Sequence, residues 1–292
     1  MDSQTLIGVD LGGTNMRAGR VEGGAVVGHA SCQTPSLEPE GVVLARLCDT
    51  IEAVLRPGVQ GIGIGVPSVV DVERGVVFTV ENIPSWQEVH LKEILEERYR
   101  LPVHVNNDAN CFALGEFHFG QGRGFKHMVG MVVGTGLGAG VVLNRHLCSG
   151  ANCGAGEIGT IPYREQTFEY YASGQVFARE YGQGGALIHA RALKGDLEAL
   201  EVLDRFGEDF GMVIMTTLYA YDPELIVLGG SVSKAYPFFE KGMWRSLRGF
   251  AYQHALQRLL IRVSEEPQIA IMGAAALCLD APLESESRLV RP

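Results

Sequence analysis

The chain has no excess of basic residues, no paired cysteine motif, no long apolar run and no Pro- or Ser-rich linker. Each absence removes a class of function. Lys and Arg number 24 against 34 Asp and Glu, a formal net charge of −10. A broad nucleic-acid-binding surface is therefore not expected, because phosphate contacts dominate that affinity. The six cysteines (Cys32, Cys48, Cys111, Cys148, Cys153 and Cys278) are scattered, with no Cys-x-x-Cys, so reduced thiols are expected. No run is long and apolar enough to span a bilayer, so no membrane partner is expected. The opening Met1-Asp-Ser-Gln4 leads straight into strand-like residues without a charged n-region and apolar h-region. That predicts no leader peptide and a cytoplasmic location. Two nucleotide-binding signatures are missing as well. There is no Gly-x-x-x-x-Gly-Lys-Ser/Thr loop, and the glycine turns lead into strands, not into the helix of a dinucleotide fingerprint.

What remains is ordinary in bulk and distinctive in arrangement. Hydrophobic residues make up 46% and charged residues 20% of 292, enough for two lobes that each bury a core. The 38 glycines cluster between apolar, strand-like runs, which predicts tight turns where backbone meets a ligand closely. Thr5–Asp10, Asn15–Val21 and Ala25–His29 read as three antiparallel strands joined by Leu11-Gly-Gly-Thr14 and Gly23-Gly24. The same pattern returns at His127–Val133, Gly134-Thr-Gly-Leu-Gly138 and Ala139–Asn144, with a short strand around Arg145–Cys148. Two such hairpins predict a duplicated fold in which each copy offers a glycine turn to one ligand.

Between and after them, strands and helices alternate. Gly41–Leu55 carries apolar residues at helical spacing, Gln60–Val66 is a buried strand, and Leu91–Tyr99 is a charged amphipathic helix. Leu101–Val105 is the next strand, and Asp108–Phe117 the next helix. Further helices are predicted at Ser173–Tyr181, Leu197–Ala220 and from about Gly273, with a buried strand at Leu225–Leu228. Strand–helix–strand order argues for an α/β fold with parallel pairing. A boundary near Gly120 divides residues 1–119, a smaller lobe, from 120–292, a larger one. The C-terminal helix, about 274–292, is available to pack back on the first.

Several residues stand out chemically. Asp10-Leu-Gly-Gly-Thr14 ends a buried strand with a carboxylate, two glycines and a hydroxyl, a set suited to phosphate and metal but common in any tight turn. Gly134–Gly138 has the same two readings. In Asn106-Asn-Asp-Ala-Asn110, four polar side chains crowd a helix start that needs one cap, leaving Asn107 and Asp108 free for a polyol. An Asp beside an acceptor hydroxyl is what phosphoryl transfer to an alcohol requires. Asn82, Glu157 and Glu169 are unremarkable on local grounds.

Taken in order, these segments resemble the ROK sugar kinases of the actin-like ATPase superfamily. The resemblance rests on Asp10–Arg17, Gly63–Pro67, Glu81–Trp86, Asn107–Asn110 with Leu114-Gly-Glu116, Gly134–Gly138, Gly154–Gly159, Glu169–Gly174, Leu228–Ser231 and Gly273-Ala-Ala275. It implies a duplicated ribonuclease H-like fold of two lobes with a ligand cleft between them. It also implies an ATP-dependent kinase acting on a hexose, glucokinase-like, that yields the 6-phosphate. By the same resemblance Asp108 is the general base, and Asn82, Asn107, Asp108, Glu157 and Glu169 bind sugar hydroxyls. Gly12, Gly13, Thr14, Gly134, Thr135 and Gly136 hold ATP phosphates, Gly229 and Gly230 lie against the adenosine, and Asp10 faces Mg²⁺ through water. A homodimer is implied too. N-acetylmannosamine, N-acetylglucosamine, fructose and allose compete with glucose as acceptors, and polyphosphate competes with ATP as donor. Ser68, Ser85 and Thr160 are the loop residues expected to choose among the sugars. Two readings without kinase activity also fit the resemblance: a catalytically silent sugar binder and a transcriptional regulator of the family. The regulators carry an N-terminal helix-turn-helix, for which strand-like Thr5 leaves no room. The chain departs from the family in one stretch. Thr160 stands where members commonly have His, and Ile161–Phe168 holds no Cys or His, so no zinc site is expected.

Overall fold

Glycine turns and strand-length apolar runs set the opening of each half. In the computed structural model, which describes residues 4–287, β1 (Thr5–Leu11), β2 (Asn15–Glu22) and β3 (Ala25–Gln33) form a meander. Helix α1 (Glu40–Val54) crosses back to β4 (Val59–Val66), which pairs parallel with β1. A small sheet of β5 (Val69–Asp71), β6 (Val76–Phe78) and β7 (Glu88–Val89) follows, then α2 (Leu91–Tyr99), β8 (Val103–Asn107) and α3 (Asp108–His118). The second half repeats the plan. A meander of β9 (Met128–Val133), β10 (Leu137–Leu143) and β11 (His146–Leu147) is followed by the hairpin β12 (Pro162–Tyr163) and β13 (Gln166–Thr167). Next come α4 (Phe168–Ala172), α5 (Gln175–Tyr181), α6 (Gly185–Ala192) and α7 (Leu197–Tyr221). Strand β14 (Leu225–Gly229), α8 (Tyr236–Leu247), α9 (Gln253–Leu256), β15 (Leu260–Val263) and α10 (Ile269–Ser287) complete it.

The two main sheets have the same topology. Their orders are β3-β2-β1-β4-β8 and β11-β10-β9-β14-β15, with the meander antiparallel and the rest parallel. Burial follows position: β14, with a neighbour on each side, is buried throughout, whereas β3 at an edge has no fully buried residue. The helix ending each half crosses to the other half's sheet. Helix α3 lies on β9 and β10, α10 lies on β1 and β4, and the two helices pack on each other.

That exchange corrects the reading of glycine. A Cβ on Gly8 would lie 1.8 Å from the Ile271 carbonyl oxygen, and one on Gly63 would lie 1.7 Å from that of Ala274. Many glycines therefore admit a helix backbone onto a sheet, not a ligand. The start of α10 differs for the same reason. It begins at Ile269, ahead of Gly273, because Gly273 is an interior glycine where a Cβ would meet the Cys111 carbonyl at 1.7 Å. Of the helix expected at 274–292, residues 288–292 lie outside the described residues, as do Met1–Ser3 of the opening segment. The segment predicted as one helix from Ser173 starts at Gln175, with 168–172 forming α4. Among the described residues, no helix is long and apolar enough to cross a membrane.

Candidate active site

Strand β8 ends at the carboxyl edge of the first sheet, where open α/β sheets place their ligands, and Asp108 opens α3 there. The crowd of polar residues sorts into separate tasks. Asn107 is the cap: its side-chain oxygen accepts from Ala109 N at 2.8 Å, and its amide donates to the Ser68 carbonyl at 3.3 Å. Asn106 and Asn110 are buried and join the helix start to the following half. Asn110 Nδ2 donates to Asn106 Oδ1 at 2.9 Å, as does the Cys153 thiol at 3.3 Å, and Asn106 Nδ2 donates to Ser149 Oγ at 3.1 Å. Asp108 remains. Its Oδ1 accepts from Ala109 N at 2.8 Å.

The carboxyl of Asp108 keeps a little solvent contact but is enclosed on nearly every side. Burial, followed by the neighbouring Asp10 carboxylate, pushes its pKa up to about 7; Glu157 adds to the rise, and the Ala109 N–H opposes it. Glu157 is also held above the ordinary carboxylate range, by burial and then by the charge of Glu169. Asp10, Asp108, Glu157 and Glu169 thus form a series of acids, each within electrostatic reach of the next.

The glycine hairpins flank this series. Asp10 sits opposite Arg17 in the β1–β2 register and accepts from its Nε at 3.1 Å. The turn between them is braced by Gly12 N donating to Asn15 O at 2.9 Å and Thr34 Oγ1 donating to Gly12 O at 2.7 Å. Asn82 lies over Gly13, where a Cβ would meet Asn82 Cβ at 2.3 Å. Thr14 is exposed. In the second hairpin, Gly134 N donates to Gly136 O at 2.9 Å, and Gly174 N donates to Gly134 O at 2.7 Å. Thr135 is exposed, and a Cβ on Gly134 would meet nothing closer than Ser231 Oγ at 4.0 Å. The turn is open on that side. Glu169 binds the hairpin from beneath, accepting from Leu137 N at 2.8 Å. Gly230 is left-handed, with φ +85°, and turns the chain tightly past Val133; Gly229 is buried against the Phe112 ring. Of this pair, only Gly230 is exposed.

Thr160 Oγ1 donates to the Glu157 carbonyl at 2.8 Å and so braces that loop. The stretch after it is filled by protein: the Tyr163 and Phe168 rings stack at 4.7 Å, with the Arg164 guanidinium 4.8 Å from the Tyr163 ring. All six cysteines are unpaired thiols, and no group of three or more His, Cys, Asp or Glu among the described residues is arranged for a metal. The structure adds Arg17, Ser149, Cys153 and Ser231 to the residues that a sequence motif singles out for a task of their own. Only Arg17 carries a local signal, since a hairpin turn between Leu11 and Met16 sets it across from Asp10.

A duplicated five-stranded unit, with one glycine hairpin from each half beside a carboxylate-lined floor, is the actin-like ATPase fold. Within that class the chain belongs to the ROK family, whose model matches residues 6–281. It is 32% identical over 273 residues to a glucokinase of Halalkalibacterium halodurans, covering 80% of this chain and 82% of the relative. It is likewise 32% identical over 255 residues to an N-acetyl-D-glucosamine kinase of Pectobacterium atrosepticum, covering 77% and 83%. Among solved structures, a ROK glucokinase of Streptomyces griseus in complex with glucose and AMPPNP superposes with TM-score 0.79 at 26% identity, covering 94% of this chain and 98% of that one.

Proposed function

We propose that the chain is an ATP-dependent sugar kinase that phosphorylates a hexose to its 6-phosphate, with Asp108 as general base. The observation that carries this reading is the enclosed Asp108 carboxyl at the start of α3, within electrostatic reach of Asp10 and Glu157 and pushed up to about 7. A base with a pKa near the working pH is both deprotonated and a strong enough acceptor. The amides of Gly13, Thr14, Thr135 and Gly136 supply donors for phosphate oxygens, while those of Gly12 and Gly134, the other two expected phosphate contacts, are spent on closing the two hairpins and shape the turns instead. Gly230 faces the adenosine, with buried Gly229 shaping the strand end behind it. Asn82, Asn107, Glu157 and Glu169 order the sugar hydroxyls. Asp10, partly exposed at the mouth of the first hairpin, suits an outer, water-mediated hold on Mg²⁺, which when bound neutralises phosphate charge. Asp108 takes the proton from the acceptor hydroxyl as that oxygen attacks the γ-phosphorus. The likeness to an N-acetyl-D-glucosamine kinase favours an N-acetylhexosamine as the second acceptor reading.

Release of ADP from Mg·ATP, measured across a panel of hexoses and N-acetylhexosamines, is expected to be strong with one sugar. A flat panel with Mg·ATP would overturn the reading.

The pH dependence follows from the sign of the Asp108 shift. The base works only when ionised, so kcat/KM is expected to fall as pH drops through about 7. Asp10→Asn removes the second-largest cause of the shift and should move that acid limb to lower pH. An unmoved limb in a folded Asp10→Asn protein would detach it from Asp108.

Zinc removal gives a separate test. Because Ile161–Phe168 has no Cys or His, a zinc-selective chelator followed by assay in excess Mg²⁺ should leave turnover unchanged. Loss of activity that returns with Zn²⁺ would contradict this.

A further inference from the structure

Glu157 and Glu169 are joined by a short segment whose fixing lies outside the site. Glu157 immediately precedes the 3₁₀ turn Ile158–Thr160, and Glu169 lies in the first turn of α4. Between the turn and α4 lies the β12–β13 hairpin, too small to hold a shape by its own ladder. Its tip carries a strained residue. Arg164 has φ +51°, a left-handed conformation that costs a non-glycine residue about 1 kcal/mol and persists only where surroundings enforce it.

The enforcing contacts come from α7. Asp209 accepts from the Tyr163 hydroxyl at 3.0 Å and pairs with Arg164 Nη2 at 2.6 Å. The Arg164 guanidinium lies 4.8 Å from the Tyr163 ring and 5.1 Å from the Tyr171 ring. Tyr163 stacks on Phe168, which is buried in the core of the second half and whose N–H donates to Ile161 O at 3.0 Å. Glu169 follows Phe168 directly and is pinned to the Leu137 amide. Thr160 at the other end holds the Glu157 carbonyl. A continuous set of contacts therefore runs from Asp209 to both acids. Asp209 is largely buried, with 17% of its side chain exposed, and burial raises its pKa despite the pairing with Arg164.

We infer that Asp209, through Tyr163 and Arg164, is a positioning residue that sets the separation of Glu157 and Glu169 and hence the sugar affinity of the site. This rests on the sugar-kinase reading above. Misplacement by about 1 Å from a distant change costs up to about 100-fold.

The test is the full-length protein with Asp209→Ala, Asp209→Asn and Tyr163→Phe, measured for sugar Kd by calorimetry, for KM of sugar and of ATP, and for Tm. The expected result is sugar Kd and KM raised about 10- to 100-fold in Asp209→Ala, with KM for ATP changed less than about 2-fold. Asp209→Asn keeps an acceptor for Tyr163 and should recover part of the loss, and Tyr163→Phe should show a smaller one. Unchanged sugar affinity in variants of a wild type that binds sugar would overturn this inference alone. Equal losses in sugar and ATP, tracking Tm in Asp209→Asn and Tyr163→Phe, would overturn it in favour of a purely structural role. A wild type that binds no sugar of the panel would overturn the underlying reading and the inference with it.

Discussion

Asp108→Asn is expected to lower turnover by about 10²–10⁴-fold while making the folded protein more stable at pH 8. Both effects come from one feature. The carboxyl that accepts the proton is held in surroundings that disfavour its charge, first by burial and then by Asp10. Asp108 has a folded pKa of about 7 against an ordinary 3.8. Between those values the folded protein binds more protons than the unfolded chain, so stability falls as pH rises from about 4 to about 7. Above that range the whole penalty is present. A separation of roughly three pH units corresponds to at most about 4 kcal/mol, lowered by the solvent that the carboxyl still meets. Asn carries no charge at any pH and keeps an acceptor for the Ala109 N–H, so the penalty disappears without loss of the helix start. Denaturant melts of both proteins at pH 5 and pH 8 measure this directly. The variant's advantage should be larger at pH 8. A variant that is less stable at pH 8 would show that Asp108 holds the fold together and is not strained for function.

Gly63→Ala is expected to destabilise the protein by about 3 kcal/mol or more, beyond the usual range for one added methyl. The new Cβ would fall 1.7 Å from the Ala274 carbonyl oxygen and 2.6 Å from its carbon, both of them backbone. No rotamer change relieves such a clash; α10 must lift off β4. Because α10 also packs on α3, the displacement reaches the helix that begins at Asp108. Activity should therefore fall along with stability. Gly41→Ala is the matched control. It lies in α1, and a Cβ there meets nothing within 4 Å. It should be neutral or stabilising by up to about 1 kcal/mol, since Ala is the better helix former. Equal midpoints for the two variants in urea would rule out a close α10–β4 approach.

The local elements are legible in the sequence because their signals are local. Helix α2 falls on Leu91–Tyr99 as its apolar spacing and charge pattern predict, and both meanders follow from glycine punctuation between apolar runs. Helix α8 is absent from the elements read from the sequence, although Phe239, Met243 and Leu247 recur at helical spacing and Pro237 marks its first turn. The crossing of α3 and α10 to each other's sheets lies beyond the reach of local patterns. Nothing in a glycine's own neighbourhood tells a turn from a strand position that admits a helix, as Gly8 and Gly63 demonstrate. The candidate site divides in the same way. A carboxylate at a helix start is readable, but its near-neutral pKa depends first on burial and then on Asp10, brought beside it by the parallel pairing of β1, β4 and β8. The local pattern leaves Asn107 and Asp108 together free for a ligand. The structure gives Asn107 the cap and so leaves it a smaller share of hydrogen-bonding capacity.

The most direct test is sugar-dependent ADP release by the wild type and Asp108→Asn side by side, with sugar affinity of both taken by calorimetry. Turnover with a hexose or N-acetylhexosamine is predicted in the wild type, with a loss of about 10²-fold or more in the variant and a sugar Kd within about tenfold of the wild type. Near-wild-type turnover in the folded variant would contradict the assignment of Asp108 as the base.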